Sequence, residues 1–316
     1  MCRKAALSLL LAGALLSSPA AAACPPQHLK TVDRTLAGLA TDAAGNVYAA
    51  DPVAAKVRVF NAELVLLGSW GTDGFLPGQF VYPSGVAVDA QGYVYVTDSR
   101  LGVQKFTNTG AFVTGWQAFL CPGDPPLYEY PRPAAVAVDA SGNVFVTDQC
   151  EVHKYSSSGV LLLSMGSCGT GEGQFSPCGA TGIAVDGQGV VYVTDSGNSR
   201  VLRFTTGGDY LGTLGVPGMS FHRPMTLAAD AGGRIHVTDW NSSLHVVTVA
   251  SDGAEICRWG EDGFDVGQMI DPWGLAAGPG GNLYVSDDQS NRVEKFGDVT
   301  TPTLRPTWGS VKILYR

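Results

Sequence analysis

Between Gly85 and Asp98 the chain reads GVAVDAQGYVYVTD: an apolar run, a polar Asp-x-x-Gly break, then alternating apolar and aromatic positions that stop at an aspartate. Short runs of this kind predict strands, and the break predicts a tight hairpin whose glycine takes positive φ. The pattern returns. With Asp89 as origin, equivalent positions are Asp42, Asp139, Asp186, Asp230 and Gly278, spaced 47, 50, 47, 44 and 48 residues apart along the chain. Two residues before each origin stands an alanine (Ala40, Ala87, Ala137, Ala184, Ala228, Ala276), and nine after it an aspartate (Asp51, Asp98, Asp148, Asp195, Asp239, Asp287). Internal repetition at this period predicts a propeller or solenoid.

Each unit holds four strands. The first is short and apolar, as expected where it is buried on both faces, and its alanine suits close approach near a crowded axis. The second carries an aromatic in one slot (Tyr48, Tyr95, Phe145, Tyr192, Tyr284), with His236 there in the fifth unit. The third ends in an aromatic in five copies (Phe60, Phe106, Tyr155, Phe204, Phe296), and a fourth follows, as in Ala111 to Trp116. The expected fold is all-β: a six-bladed propeller of four-stranded antiparallel blades. The sixth unit lacks its own fourth strand. Gln27 to Val32 is the expected donor and Val311 to Tyr315 the alternative. The Pro-containing stretch TTPTLRP (Thr300 to Pro306) reads as a spacer beyond the fold.

The units resemble NHL repeats, on PSGVAVDAQGYVYVTD, DSGNSRVLRF and GTGEGQF (Gly169 to Phe175). The resemblance spans about Leu36 to Phe296 and is strongest in blades two, four and six. It implies a propeller. Function it specifies weakly, since such propellers serve as sensors, adhesion or interaction platforms and occasionally lyases.

Residues 1–23 read as a signal peptide: Arg3 and Lys4 precede an apolar core from Ala5 to Leu16, too short to span a bilayer, and Ala21-x-Ala23 offers a cleavage site. The expected organisation is then 1–23 signal, 24–299 propeller and 300–316 spacer and tail. The expected location is outside the cell, in the periplasm or at the cell surface. Cys24 follows the cut directly and could be acylated, although Ala21 stands where lipoprotein signals carry a leucine-type residue. Without Arg3 and Lys4, 18 of the 20 basic residues remain against 28 acidic ones, which disfavours nucleic acid and anionic membranes as partners. No transmembrane segment and a monomer are expected.

Loss of Cys2 with the signal leaves six cysteines, an even number that suggests disulfides in an exported chain. In a propeller, loops from a fourth strand to the next first strand share a face with loops from second to third strands. That face holds Cys121, Cys150, Cys168 and Cys178, so the expected pairs are Cys168–Cys178 and Cys121–Cys150, with Cys24–Cys257 as the remainder. No CxxC motif points to redox or zinc chemistry.

Five histidines are available for metal-dependent chemistry of the amidating-lyase or lactonase kind that related propellers perform: His28, His153, His222, His236 and His245. They fall at unmatched registers of the repeat, whereas zinc needs donors converging within about 2.1 Å. His236 fills a core slot, and His245 stands where blades four and six place Arg200 and Arg292. The six aspartates ending second strands recur in every blade, as structural caps do. They are expected to hold the following turn and to pair with Arg200 or Arg292. The runs GTDGFLPGQF, GTGEGQF and GEDGFDVGQM precede strands and lack a P-loop lysine, which argues against phosphate binding. Neither a calcium loop nor a Ser-His-Asp triad is indicated, so no catalytic residue, metal ligand or cofactor is assigned.

Blade-specific residues remain. The longest insertion, Gln117 to Arg132, carries Tyr128, Tyr130 and Arg132; Arg100, His222, Arg223 and Trp240 belong topologically to the same face. Aromatics and arginine favour protein or glycan contacts, so the expected function is a non-catalytic extracellular binding platform. A metal-dependent propeller lyase or hydrolase is the alternative.

Overall fold

A computed structural model describes residues 26–33, 36–117, 135–177 and 179–297. It contains six four-stranded antiparallel sheets, and in blades one to five the strands lie in sequence order from the axis outward. Blades one to five span 39–70, 83–116, 136–165, 180–213 and 223–261; blade six spans 272–297 and takes its outermost strand from Gln27–Asp33. That strand pairs antiparallel with Arg292–Gly297, from Gln27 opposite Gly297 to Asp33 opposite Arg292. The N-terminal segment therefore closes the ring, and the alternative donor, Val311 to Tyr315, lies outside the described residues.

The core is divided among six clusters, each between neighbouring blades. Tyr48 and Val57 of blade one meet Val86 and Phe106 of blade two; Ala87 and Tyr95 meet Val144 and Tyr155; Phe145 meets Ile183 and Phe204. Tyr192 meets Leu227 and Val237; Val246 and Trp259 meet Leu275 and Phe296; Ala276 and Tyr284 return to Leu39 and Phe60. No blade buries its faces alone, which is why the repeat needs closure. Third-strand lysines latch the blades from the opposite face. Lys105 Nζ donates to the Ser157 carbonyl (3.4 Å), Lys154 Nζ to that of Thr206 (2.8 Å), and Lys295 pairs with Glu63 (2.8 Å).

The origin aspartates organise the first hairpin of the blades. Asp89 Oδ1 accepts the Gln91 and Tyr93 amides (3.0 and 2.8 Å), and Oδ2 accepts the Tyr95 hydroxyl (3.1 Å). His236 takes the tyrosine's place in blade five: Nε2 lies 3.3 Å from Asp230 Oδ2 and Nδ1 3.1 Å from Thr248 Oγ1. Blade six has Gly278 at the origin, and Tyr284 instead donates to the Ala62 carbonyl of blade one (3.0 Å).

The tightest approach around the axis falls not at the repeated alanine but two residues earlier. A Cβ on Gly38, Gly182 or Gly274 would lie 2.5, 2.5 or 2.2 Å from a carbonyl oxygen of the next blade. Hydroxyls then fill the axis: Thr97, Thr147, Thr194, Thr238 and Ser286 each accept a first-strand amide at 2.6–3.0 Å. What remains is a cavity of about 40 Å³ lined by residues of all six blades, among them Gly38, Ser84, Ala135, Thr181, Met225 and Trp273. A space of that size takes a few waters rather than a substrate.

The cysteine pairing differs from expectation. Cys150 bonds Cys168, with Cα atoms 4.8 Å apart, in place of Cys121–Cys150 and Cys168–Cys178. Strand register explains it. Val152 pairs with Met165, and the antiparallel pair carried past the strand ends puts Cys150 opposite Ser167, one residue from Cys168. Cys257 is also disulfide-bonded. Cys24, Cys121 and Cys178 lie outside the described residues, as do residues 1–23 and 298–316.

Candidate functional site

The aspartates that end second strands do more than hold the following turn. Asp98 accepts the Arg100 and Leu101 amides on one oxygen and, on the other, the Val81 and Tyr82 amides of the loop entering its blade (2.8 and 2.9 Å). Asp239 and Asp287 bind the entering loops of blades five and six in the same way. Arg200 pairs with Asp195 as expected (2.9 Å) and also donates to the carbonyls of Thr170, Gly171 and Gln174. Arg292 differs from expectation: it lies 3.6 Å from Glu294 and donates to the Asp265 and Gln268 carbonyls, because the GEDGFDVGQM loop presents them to it. Asp51 and Asp239 find their guanidinium partners at other registers, in Arg58 and Arg258. These carboxylates are structural.

The histidines are dispersed. His28 bonds Thr31, His153 bonds Ser164 near Asp148, His222 lies 3.7 Å from Asp239, His236 bonds Asp230, and His245 bonds Asp262 (2.6 Å). Among the described residues no three His, Cys, Asp or Glu side chains are placed to hold a metal ion.

Where the blades differ is the channel mouth on the disulfide-bearing face. Arg223 begins the first strand of blade five (Arg223–Ala229), and Trp240 ends its second (Ile235–Trp240). The Arg223 guanidinium lies over the Trp240 ring at 5.4 Å from its centroid. Trp240 Nε1 donates to the Pro272 carbonyl (3.0 Å), and its ring meets that of Trp273 at 5.4 Å. Trp273 in turn lines the axial cavity. Asp271 precedes the first strand of blade six and Asp288 follows its second; the Asp288 amide donates to the Asp271 carbonyl (3.1 Å). Tyr82 enters blade two at the same level.

Burial, then the Asp287 and Asp288 charges, push the Asp271 carboxyl up to about 6, against the opposing pull of His245 and Arg223. Burial and Asp288 also raise Tyr82. The sign for stability follows. In the unfolded chain Asp271 titrates near 3.8, so from pH 4 upward the folded state holds a proton that the unfolded state has released, and ionising it through pH 6 costs stability. Asp271→Asn is therefore expected to raise stability at pH 7.5 by about 1–2 kcal/mol, after discounting for partial exposure, and to have little effect at pH 4. Thermal melts at the two pH values check this.

Of the residues singled out from sequence, Arg223 and Trp240 are in contact, and His222 is joined to them through Asp239, which accepts both the His222 and Arg223 amides. The His222 side chain points outward, 59% exposed. Arg100 sits on the same face in the turn of blade two, with its amide on Asp98. Tyr128, Tyr130 and Arg132 lie outside the described residues. Sequence reasoning missed Tyr82, Asp271, Trp273 and Asp288. A signal existed: Tyr82 and Asp271 occupy the register of Arg132 and Arg223, seven before the origin, and Asp288 that of Trp240, ten after it.

Comparison with known proteins agrees with this architecture. The NHL repeat profile matches residues 178–204. A virginiamycin B lyase from Staphylococcus aureus, solved with quinupristin, is 14% identical with a TM-score of 0.56, over 83% of this chain and 80% of that one. A streptogramin B lyase is 12% identical (TM-score 0.55; 86% and 96% covered), and a gluconolactonase candidate 17% identical (TM-score 0.59; 89% and 93% covered). At such identities the likeness is one of fold. The chain carries an NHL repeat at residues 178–204 and folds as a β-propeller of six four-stranded blades.

Proposed function

We propose that this propeller is an exported binding protein whose ligand, a protein or a glycan, contacts the channel mouth on the disulfide-bearing face. The observation that carries the reading is the convergence there of blade-specific side chains, Arg223, Trp240, Asp271 and Trp273, while the repeated registers are occupied with holding the ring. A site in a pseudo-symmetric ring must break the symmetry, and this is where it is broken. The Cys150–Cys168 disulfide fits an oxidising compartment. Among the described residues no helix is long and apolar enough to cross a membrane.

Glycan and peptide arrays probed with the chain lacking residues 1–23 test the reading. Trp240→Ala is expected to weaken capture of any binder at least ~10-fold, as a central aromatic anchor does, whereas Trp240→Phe retains part of it. Capture that ignores both changes removes the mouth from the claim.

A second reading is a propeller lyase or hydrolase, and the Asp271 carboxyl favours it, since an acid near 6 is suited to proton transfer at neutral pH. Turnover of cyclic depsipeptide or lactone probes by the wild type, lost in Asp271→Asn, would place this reading above the first.

A further inference from the structure

We propose that the channel mouth recognises an organic cation, an ammonium group seated between the Trp240–Trp273 indole pair and the carboxylates of Asp271 and Asp288. The inference rests on the mouth being the ligand site and adds the charge of what binds there. Indole faces attract cations, and one already does so in this chain: the exposed Arg223 guanidinium lies over Trp240. The two carboxylates are the second observation. Asp51, Asp98, Asp195, Asp239 and Asp287 spend their oxygens on amides or guanidinium groups. By contrast, the Asp271 and Asp288 carboxyls make no hydrogen bond or ion pair with any described residue, although Asp271 is partly buried. Burial, then the Asp287 and Asp288 charges, disfavour a negative Asp271, with His245 and Arg223 opposing, and an incoming ammonium relieves that cost. A neutral or anionic ligand does not. The chain's net charge of −8 draws cations in the same sense.

A matched series of equal shape tests this: choline, its neutral isostere 3,3-dimethylbutan-1-ol, and the anion 3,3-dimethylbutanoate, titrated at pH 7.5 and followed by tryptophan indole NMR signals. Choline is expected to bind at least ~10-fold tighter than either analogue, the factor a single favourable charge contact of about 1.4 kcal/mol supplies. The double variant Asp271→Asn, Asp288→Asn should abolish that preference. Arg223→Ala should tighten choline binding, because it removes the competing cation. Equal affinity across the series, or loss of choline binding in Arg223→Ala, overturns the inference. If none of the three binds while array ligands are still captured through Trp240, the mouth remains the site and the cation is wrong. Choline binding indifferent to Trp240→Ala removes the mouth itself.

Discussion

A chain starting at Leu36 is expected to lose cooperative folding, and a synthetic peptide spanning Gln27–Asp33 to restore it in trans. That strand is the outer strand of blade six, and six residue pairs join it to Arg292–Gly297. Removing it strands the backbone groups of the last strand, strips Val32 from the cluster shared by blades one and six, and uncovers Phe296, whose ring meets His28 at 5.5 Å. It also takes the Thr31 hydroxyl (3.4 Å) from Glu294, which keeps the Gly267 amide (3.1 Å). At about 1 kcal/mol per backbone hydrogen bond the loss is on the order of 5 kcal/mol, comparable with the roughly 5–15 kcal/mol that holds a domain together. Circular dichroism melts with and without the peptide provide the measurement, rescue being the strand addition that an open sheet edge permits. A truncated chain melting where the longer one does would mean that the ring closes without this strand.

Asp195→Ala is expected to cost about 3 kcal/mol, the lower end of the range for breaking a buried charge network, because Arg200 retains some contact with water. Asp195 is fully buried. Its Oδ1 accepts the amide and hydroxyl of Ser176 (2.9 and 2.8 Å), and its Oδ2 accepts Asn198 Nδ2 (2.8 Å) and Arg200 Nε (2.9 Å). Alanine leaves these donors unanswered and releases the GTGEGQF loop, whose carbonyls Arg200 holds only while its own guanidinium is anchored. Urea titration should show the loss without a change in slope, since the folded surface is unaltered. Asp195→Asn, which keeps an acceptor, should lie between. A loss under about 1 kcal/mol would show that the carboxylate is a local turn cap of ordinary strength.

The two variants probe different levels of the same repeat, and both levels were legible to different degrees. Strand identity, blade number and the hairpin role of Asp89 and its equivalents follow from short-range pattern, because alternation and Asp-x-x-Gly turns are decided by neighbouring residues. The donor for blade six was also readable, since a sixth unit without a fourth strand must borrow one. The disulfide was within reach but not reached: it depends on the pairing of Val152 with Met165, a register that alternation alone leaves undefined.

The candidate site was half visible. Arg223 and Trp240 stood out as departures from the repeat, whereas Asp271 and Trp273 read as ordinary variation until the blades were placed around an axis. Sequence by itself determined the all-β class, the six-fold repeat and the structural use of the recurrent aspartates, since each is encoded within a single unit. Tertiary structure alone decided which residues of separate units share the channel mouth, that hydroxyls crowd the axis, and that Asp271 is a perturbed acid. The physical reason is that these properties are set by charges and contacts between blades, at sequence separations where no local pattern constrains distance.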